Sequence, residues 1–439
     1  MDLPFEEQPL IEEERDYLFE QSLDLDQCLQ LTALNNKQLI AQDFEILKAR
    51  YRLREAKVGG LPILEYEFLS GPAPRDVDRA VRSFIEGDIT FFQRGKVGIG
   101  IPVFTFGKVA LAQNLALEGI LAEELKKTES KGEQLLKTQK LYYGILLANE
   151  MKSLLGDAKK HLASEIERKE KQKKQDPVEI VKLKLYHFEI LNRLYEIDQK
   201  ASLGLEAMRI QLGLGPQVKL DLQEKHLKRV EYTLEPLEAY LKDAKRYQSQ
   251  RGLLKVGLRA KELQWRLEKR NLAPDIGFGA FYEFGVTSNS IRGLTLTDDF
   301  NDPFNFQRAG AGLRIKGNLN FNRSYAKIKQ AEADYLKVAL QQSVALEGLD
   351  LELKKAYLNV KHREKSLENQ KEAMKTARQY VFLTKSNLDI GLGDKKVYSE
   401  ALQAYLLTRG RYFEAILNYN MAVAELEEKS GRLARKYSE

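Results

Sequence analysis

Seven apolar residues, Leu346, Leu353, Val360, Leu367, Met374, Val381 and Leu388, recur at intervals of seven without a break. That spacing commits the stretch to one long helix with a supercoiling seam. A strict seven-residue period drifts against the natural 3.6 residues per turn, so such a helix winds left-handedly or is underwound against its neighbours. The companion row, Leu349, Ala356, Arg363, Gln370, Ala377 and Thr384, is only half apolar. It is too soft for a two-stranded zipper, and it reads as the side that neighbours pack loosely or that water reaches.

Around this arm the chain repeats one order of events twice. Asp26 to Lys57 is helical in pattern and is stopped by Gly59-Gly60-Leu61-Pro62. Strands at about 61–69 and 97–105 flank a Pro-, Gly- and charge-rich loop from Gly71 to about Gly95. A helical stretch then runs from Gly107 to about Glu170. After a tip near 170–177, Asp176 as N-cap and Pro177 at the first helical position restart a helix that ends at Gly213. In the second half, a helix from Leu237 to Lys269 stops at Ala273-Pro274, and strands follow at about 275–286 and 307–317. The long arm, from about Ser324 to Asp389, turns at residues 390–394 into a last helix reaching Ser430. At about 1.5 Å per residue the arm is roughly 100 Å long.

Pro62 and Pro274 are 212 positions apart, as are Gly98 and Gly310, while Asp176 and Asp394, and Gly213 and Gly431, are 218 apart. Four landmarks that agree imply an internal duplication. Residues 25–215 form a first repeat and 237–431 a second, with a linker at 216–236. Residues 1–24 are an acidic lead-in without periodicity, and 432–439 are a tail. The fold class is mainly α, each repeat carrying a strand pair and a long helical hairpin.

The strands alternate. Val97, Ile99 and Ile101 share a face opposite Gly98 and Gly100; Ile276, Phe278, Tyr282 and Phe284 lie opposite Gly277, Gly279, Phe281, Glu283 and Gly285; Leu313 and Ile315 lie opposite Arg314 and Lys316. These nine apolar residues are the candidate lipid-facing set. No run approaches ~18 apolar residues, so no transmembrane helix is encoded, but barrel strands need no such run. Four strands cannot close a barrel, for which ~8 is the smallest workable number. An open edge in lipid leaves backbone groups unpaired, so membrane strands here have to share a barrel between subunits.

Enzyme chemistry is not encoded in any recognisable pattern. His161, His187, His226 and His362 are scattered, and the carboxylates sit among lysines on helix faces, so no catalytic, cofactor or metal residues are assigned. Gly98-Ile99-Gly100 and Gly310-Ala311-Gly312 precede more strand rather than a helix start, which fails the context of a phosphate loop. Cys28 is the single cysteine, so no intrachain disulfide forms. Lys plus Arg number 70 against 64 Asp plus Glu, an excess too small and too dispersed for nucleic-acid binding. The first residues, with Glu6, Glu7, Glu12, Glu13 and Glu14, show neither the basic nor the apolar region of a signal peptide.

With the duplication, strand pairs and helix restarts in place, the chain resembles the TolC family of outer-membrane efflux proteins, the outer membrane channel component of tripartite efflux or type I secretion systems. The resemblance spans nearly the full length. It rests on Leu61-Pro62 and Ala273-Pro274, on the four strands, and most specifically on Ile390-Gly391-Leu392-Gly393-Asp394, which is similar to the family's periplasmic tip. The other tip, with Gln175, Asp176 and Pro177, lacks the Gly-Leu turn. The resemblance implies a homotrimer with a 12-stranded β-barrel in the outer membrane and an α-barrel extending into the periplasm. It also implies a tip that docks a periplasmic adaptor (membrane fusion) protein and an inner-membrane pump. The alternative is a soluble coiled-coil scaffold or tether, and the strands discriminate: a scaffold has no use for an apolar strand face opposite glycines.

Overall fold

A computed structural model describes residues 19–75, 80–171, 177–287, 305–317 and 320–437. Most of the acidic lead-in, Gln175, Asp176 and the polar loop at 288–304 lie outside the described residues. In order, the elements are β1 (Phe19–Leu23), α1 (Leu25–Asn35), α2 (Lys37–Val58), β2 (Ile63–Pro74), α3 (Ala80–Glu86), β3 (Ile89–Phe104), α4 (Lys108–Glu170) and α5 (Pro177–Gln211). The second half adds β4 (Val218–Leu222), α6 (Leu237–Tyr247), α7 (Ser249–Arg270), β5 (Asp275–Thr287), β6 (Phe306–Lys316), α8 (Phe321–Asp389), α9 (Lys395–Lys429) and α10 (Arg432–Lys436). The chain divides into two compact units. One comprises residues 1–44, 124–253 and 344–439, and the other comprises 45–123 and 254–343.

The first unit is built on the heptad row. Leu353, Val360 and Leu367 of α8 are nearly inaccessible, and they share one core with Tyr142 and Leu146 of α4, Met208 of α5, and Phe413, Ile416, Tyr419 and Leu426 of α9. The companion row is tighter than its composition suggests: Ala356, Ala377 and Thr384 are also buried. Their small side chains admit a close neighbour, and the Thr384 hydroxyl is satisfied by the Tyr380 carbonyl at 2.8 Å. Cys28 packs in the same core, where burial, with Asp24 and Glu224 adding, pushes its thiol up to about 12. It is an inert packing residue.

Two sequence expectations are corrected in this unit, and two segments take on structure that the sequence pattern left open. The stretch Asp26–Lys57 is two helices, because the Asn36 side chain ends one and starts the next. Its Nδ2 donates to the Gln211 carbonyl at 2.9 Å, and its Oδ1 accepts from the Gln38 amide at 3.0 Å. Leu237–Lys269 is likewise split, at Gln248. The end of the lead-in is extended and forms a strand, since β1 pairs in parallel with β4, Phe19 opposite Val218 and Leu23 opposite Leu222. The tail also carries a helix, α10, whose Arg432 is clamped by Asp243 at 2.7 Å and by Glu235 at 2.9 Å. The linker between the repeats is strapped down as well: the buried Glu150 carboxylate accepts the Leu227 amide at 3.1 Å, and Asn420 bonds the Lys228 carbonyl and the Val230 amide.

The duplication is visible where the two splits occur. Gly213 (φ +70°) and Gly431 (φ +79°) each end a returning helix in the left-handed region. A Cβ on Gly213 falls on the carbonyl of Asn35, beside the first split, and one on Gly431 comes within 2.8 Å of the Tyr247 backbone, beside the second. Each hairpin therefore closes on the break of the helix that opens its own repeat.

In the second unit, Lys108 at the start of α4 bonds the Ala273 carbonyl and the Asp275 carboxylate, both at 2.8 Å, fixing the entry to β5. Trp265 of α7 stacks on Tyr335 of α8 with ring centroids 5.6 Å apart. The four remaining strands form one antiparallel sheet of order β2-β3-β5-β6. The expected loop from Gly71 to Gly95 is mostly regular structure: β2 continues to Pro74, α3 intervenes, and β3 begins at Ile89. Phe91 and Phe92 pair with Pro72 and Gly71. Pro72 and Pro74 are tolerated because β2 is an edge strand, where a missing donor costs no ladder bond.

Gly431→Ala is expected to lower stability by about 1–3 kcal/mol, from both the φ and the backbone clash. Gly348→Ala, in mid-α8 with open space around it, is expected to be neutral or stabilising by up to about 1 kcal/mol. Denaturant midpoints of the two variants check the contrast.

Candidate membrane face and helical tip

Strand register decides which side chains share a face. Val97 lies opposite both Tyr66 of β2 and Tyr282 of β5, and Ile99 lies opposite Leu64 and Ala280. Ile101 lies opposite Phe278, Phe278 opposite Leu313, and Ile276 opposite Ile315. The structure thus brings all nine predicted residues, Val97, Ile99, Ile101, Ile276, Phe278, Tyr282, Phe284, Leu313 and Ile315, onto one face of one sheet. Phe278 is 42% exposed and Leu313 65% exposed, so the face is uncovered among the described residues. Phe284 lies flat across Gly95, where a Cβ has no room beside its ring.

The sequence reading missed part of this face. Leu64, Tyr66 and Phe68 of β2 belong to it, and Tyr66 is 84% exposed. Their signal was present, since they alternate with Glu65 and Glu67 as a half-solvated strand does.

The opposite face carries the glycines and the charges, with Ile63, Leu69 and Phe281 the exposed apolar side chains among them. Glu67, Lys96, Glu283 and Arg308 stand directly opposite one another across all four strands, with signs that alternate strand by strand. Glu283 is almost fully buried and accepts from Arg94 Nε at 2.6 Å. A buried carboxylate needs such a partner, and opposite charges across strands support the pairing.

The second predicted site is the turn between α8 and α9. The Leu392 amide bonds the Asn387 carbonyl at 2.9 Å, the Gly391 amide bonds Leu388 at 3.1 Å, and Gly391 has φ +79°. This is a Schellman helix end. Gly393 passes so close to the α8 end that a Cβ meets the Leu388 amide nitrogen at 2.5 Å. Asp394 then caps α9 by accepting the Lys396 amide at 2.9 Å. The geometry presents Ile390 (66% exposed) and Leu392 (83% exposed) as unpartnered apolar side chains at the apex.

Beside it, the end of α4 lies against the start of α9, with His161 Nε2 3.5 Å from the Tyr398 hydroxyl. The hydrogen bond from Arg168 holds the Glu165 carboxyl below its ordinary value, with Lys395 of α9 contributing. At the other tip Pro177 is the first residue of α5, and α4 and α5 are bridged there by Lys184–Glu170 at 2.7 Å. Among the described residues no group of three or more His, Cys, Asp or Glu is placed to hold a metal, and no helix is long and apolar enough to cross a membrane.

No protein-family model matches the sequence, and no curated protein does. Solved structures match over nearly the whole length. The open state of the Neisseria gonorrhoeae MtrE outer membrane channel is 12% identical, covers 100% of both chains and gives a TM-score of 0.74. The Campylobacter jejuni CmeC outer membrane channel is 14% identical over 93% of this chain and 85% of that one, with a TM-score of 0.72. The outer membrane protein VceC of Vibrio cholerae is 14% identical over 93% and 96%, again at 0.72. Likeness at such low identity is likeness of fold: this chain has the fold of the TolC-family outer-membrane channels.

Proposed function

We propose that the chain is the outer-membrane exit duct of an efflux or secretion system, working as a homotrimer whose sheets join into one 12-stranded barrel. The observation that carries this reading is the sheet: one continuous uncovered apolar face, a glycine-and-charge face behind it, and two unpaired edges. Lipid fits the first, a water-filled lumen the second, and neighbouring copies the third. The fold shared with outer membrane channels supports it. The alternative of a soluble scaffold leaves Tyr66, Phe278 and Leu313 in water with nothing to cover them.

In this reading the duct is passive and supplies no chemistry. The α8–α9 tip is the docking point for a periplasmic adaptor and an inner-membrane pump, because its Schellman geometry holds Ile390 and Leu392 outward on a rigid base. The tip at Gln175, Asp176 and Pro177 is a second point of approach.

The chain, targeted to the outer membrane, is expected to extract in detergent as a trimer that conducts ions in a planar bilayer; a soluble monomer removes the reading. Phe278→Asp is expected to cut membrane assembly sharply, since an acidic side chain on the lipid face costs up to about 2–4 kcal/mol per copy. Unchanged assembly places that face away from lipid. Leu392→Asp is expected to reduce export severalfold with the trimer intact, read by cargo accumulation alongside native gels. Equal loss of trimer and export makes the turn merely structural.

A further inference from the structure

The two edge strands carry a complementary pair of unmatched charges. Glu65 of β2 and Arg314 of β6 both lie on the glycine-and-charge face, exposed, and the residues directly opposite them within the chain are Gly98 and Gly277. Neither makes an ion pair among the described residues. Their charged neighbours are otherwise matched in register: Glu67 opposite Lys96, Lys96 opposite Glu283, Glu283 opposite Arg308, and Asp275 opposite Lys316.

The sheet alternates direction over an even number of strands, so β6 of one copy meets β2 of the next antiparallel. Two conditions then limit the register. The apolar residues must stay on one side, which allows only shifts by even numbers of residues. The strands of a closed barrel must also tilt by roughly 35–45°, which excludes a level join with Arg308 opposite Glu67. A stagger of four residues, repeated at three junctions, displaces the chain by about 40 Å around a girth of about 58 Å. That gives a tilt of about 35°.

Strand length fixes the direction of the stagger. Shifted one way, with Arg308 opposite Ile63, all of β6 beyond Arg308 overhangs. Shifted the other way, with Arg308 opposite Gly71, all eleven residues of β6 fall within the bounds of β2. In that second register Arg314 lies opposite Glu65. On the apolar side Leu313 meets Tyr66, Ile315 meets Leu64 and Ala311 meets Phe68, which continues the lipid face without a gap.

We infer that adjacent copies of this chain join in this one register, β6 to β2 with Arg314 of one copy opposite Glu65 of the next, and that this ion pair is the register lock of the shared barrel. The inference rests on the trimeric reading above and adds to it which residues meet. A slip of two in one direction sets Arg314 opposite Ile63 and loses the ion pair; a slip of two in the other offers it Glu67 instead but carries Phe306 past Pro74, the end of β2, so charge and strand length together select this register.

The test uses full-length chain assembled in the outer membrane. Cys28 is fully buried and supplies no competing thiol. Mild oxidation of Glu65→Cys/Arg314→Cys is expected to give covalent trimers on a denaturing gel, severalfold more than Glu67→Cys/Arg314→Cys or Glu67→Cys/Arg308→Cys. A preference for either of the latter pairs overturns the register, as does an intact trimer in which none links, and both results leave the channel reading standing. Absence of any oligomer removes both. Independently, Glu65→Arg is expected to lower trimer yield severalfold and Glu65→Arg/Arg314→Glu to restore it; failure of the double variant to rescue overturns the ion pair.

Discussion

Unpaired backbone groups along β2 and β6 are the constraint on which the rest of this molecule turns. Inside the sheet, every strand pairs on both sides except these two, and among the described residues no strand pairs with their outer rows of N–H and C=O. A soluble protein blunts such an edge with charge, bulges or a covering helix. Here the edge charges sit only on the face that also holds Lys96 and Glu283, while the other face of β2 presents Leu64, Tyr66 and Phe68 uncovered. An edge apolar on one side and open in the middle satisfies its hydrogen bonds in lipid only by meeting another edge, and a closed ring of copies, the proposed trimer, provides such a meeting at every edge.

The long helices answer a different need. The heptad row of α8 supplies a seam that α4, α5 and α9 share, and the small residues of the companion row let the packing close where large ones hold it apart. Precision comes from polar groups at the helix breaks. Asn36 ties α1 and α2 to the end of α5, and Arg432 ties α10 to the Glu235–Asp243 cluster beside α6. Gly213 and Gly431 sit at the same point of each repeat, and both are required by backbone approach as well as by φ. The duplication is therefore a repeated mechanical joint, not only a repeated sequence of elements.

How much of this was legible in the sequence depends on the range of the interaction that decides it. The strand faces, the long helices and the Gly391 turn are local patterns, and the candidate residues on the strands share one face of one sheet. What failed was decided by distant partners. Residues 19–23 look like part of an acidic lead-in, and only the parallel partner at 218–222 makes them a strand. Pro72 and Pro74 read as breakers until β3 places them on an edge. Asn36 reads as an ordinary helical residue until the Gln211 carbonyl is brought to it from 175 positions away. The buried fit of Ala377 and Thr384 is equally invisible, because a row of small residues has the same composition whether a neighbour closes on it or not.

The apex between α8 and α9, the docking point in the proposed function, is a local motif left incomplete. A Schellman turn ordinarily packs the residue after its glycine against the third residue from the helix end, an apolar contact that hides both. The hydrogen bonds of that motif are all present here, but the partner position is Asn387, and Leu392 finds nothing to cover it. Gly393 passes so close to the Leu388 backbone that only a residue without a Cβ fits there. The turn is thus hydrogen-bonded in its backbone and unsatisfied in its side chain, the combination the proposed docking needs if a partner is to complete the packing without first ordering a loop.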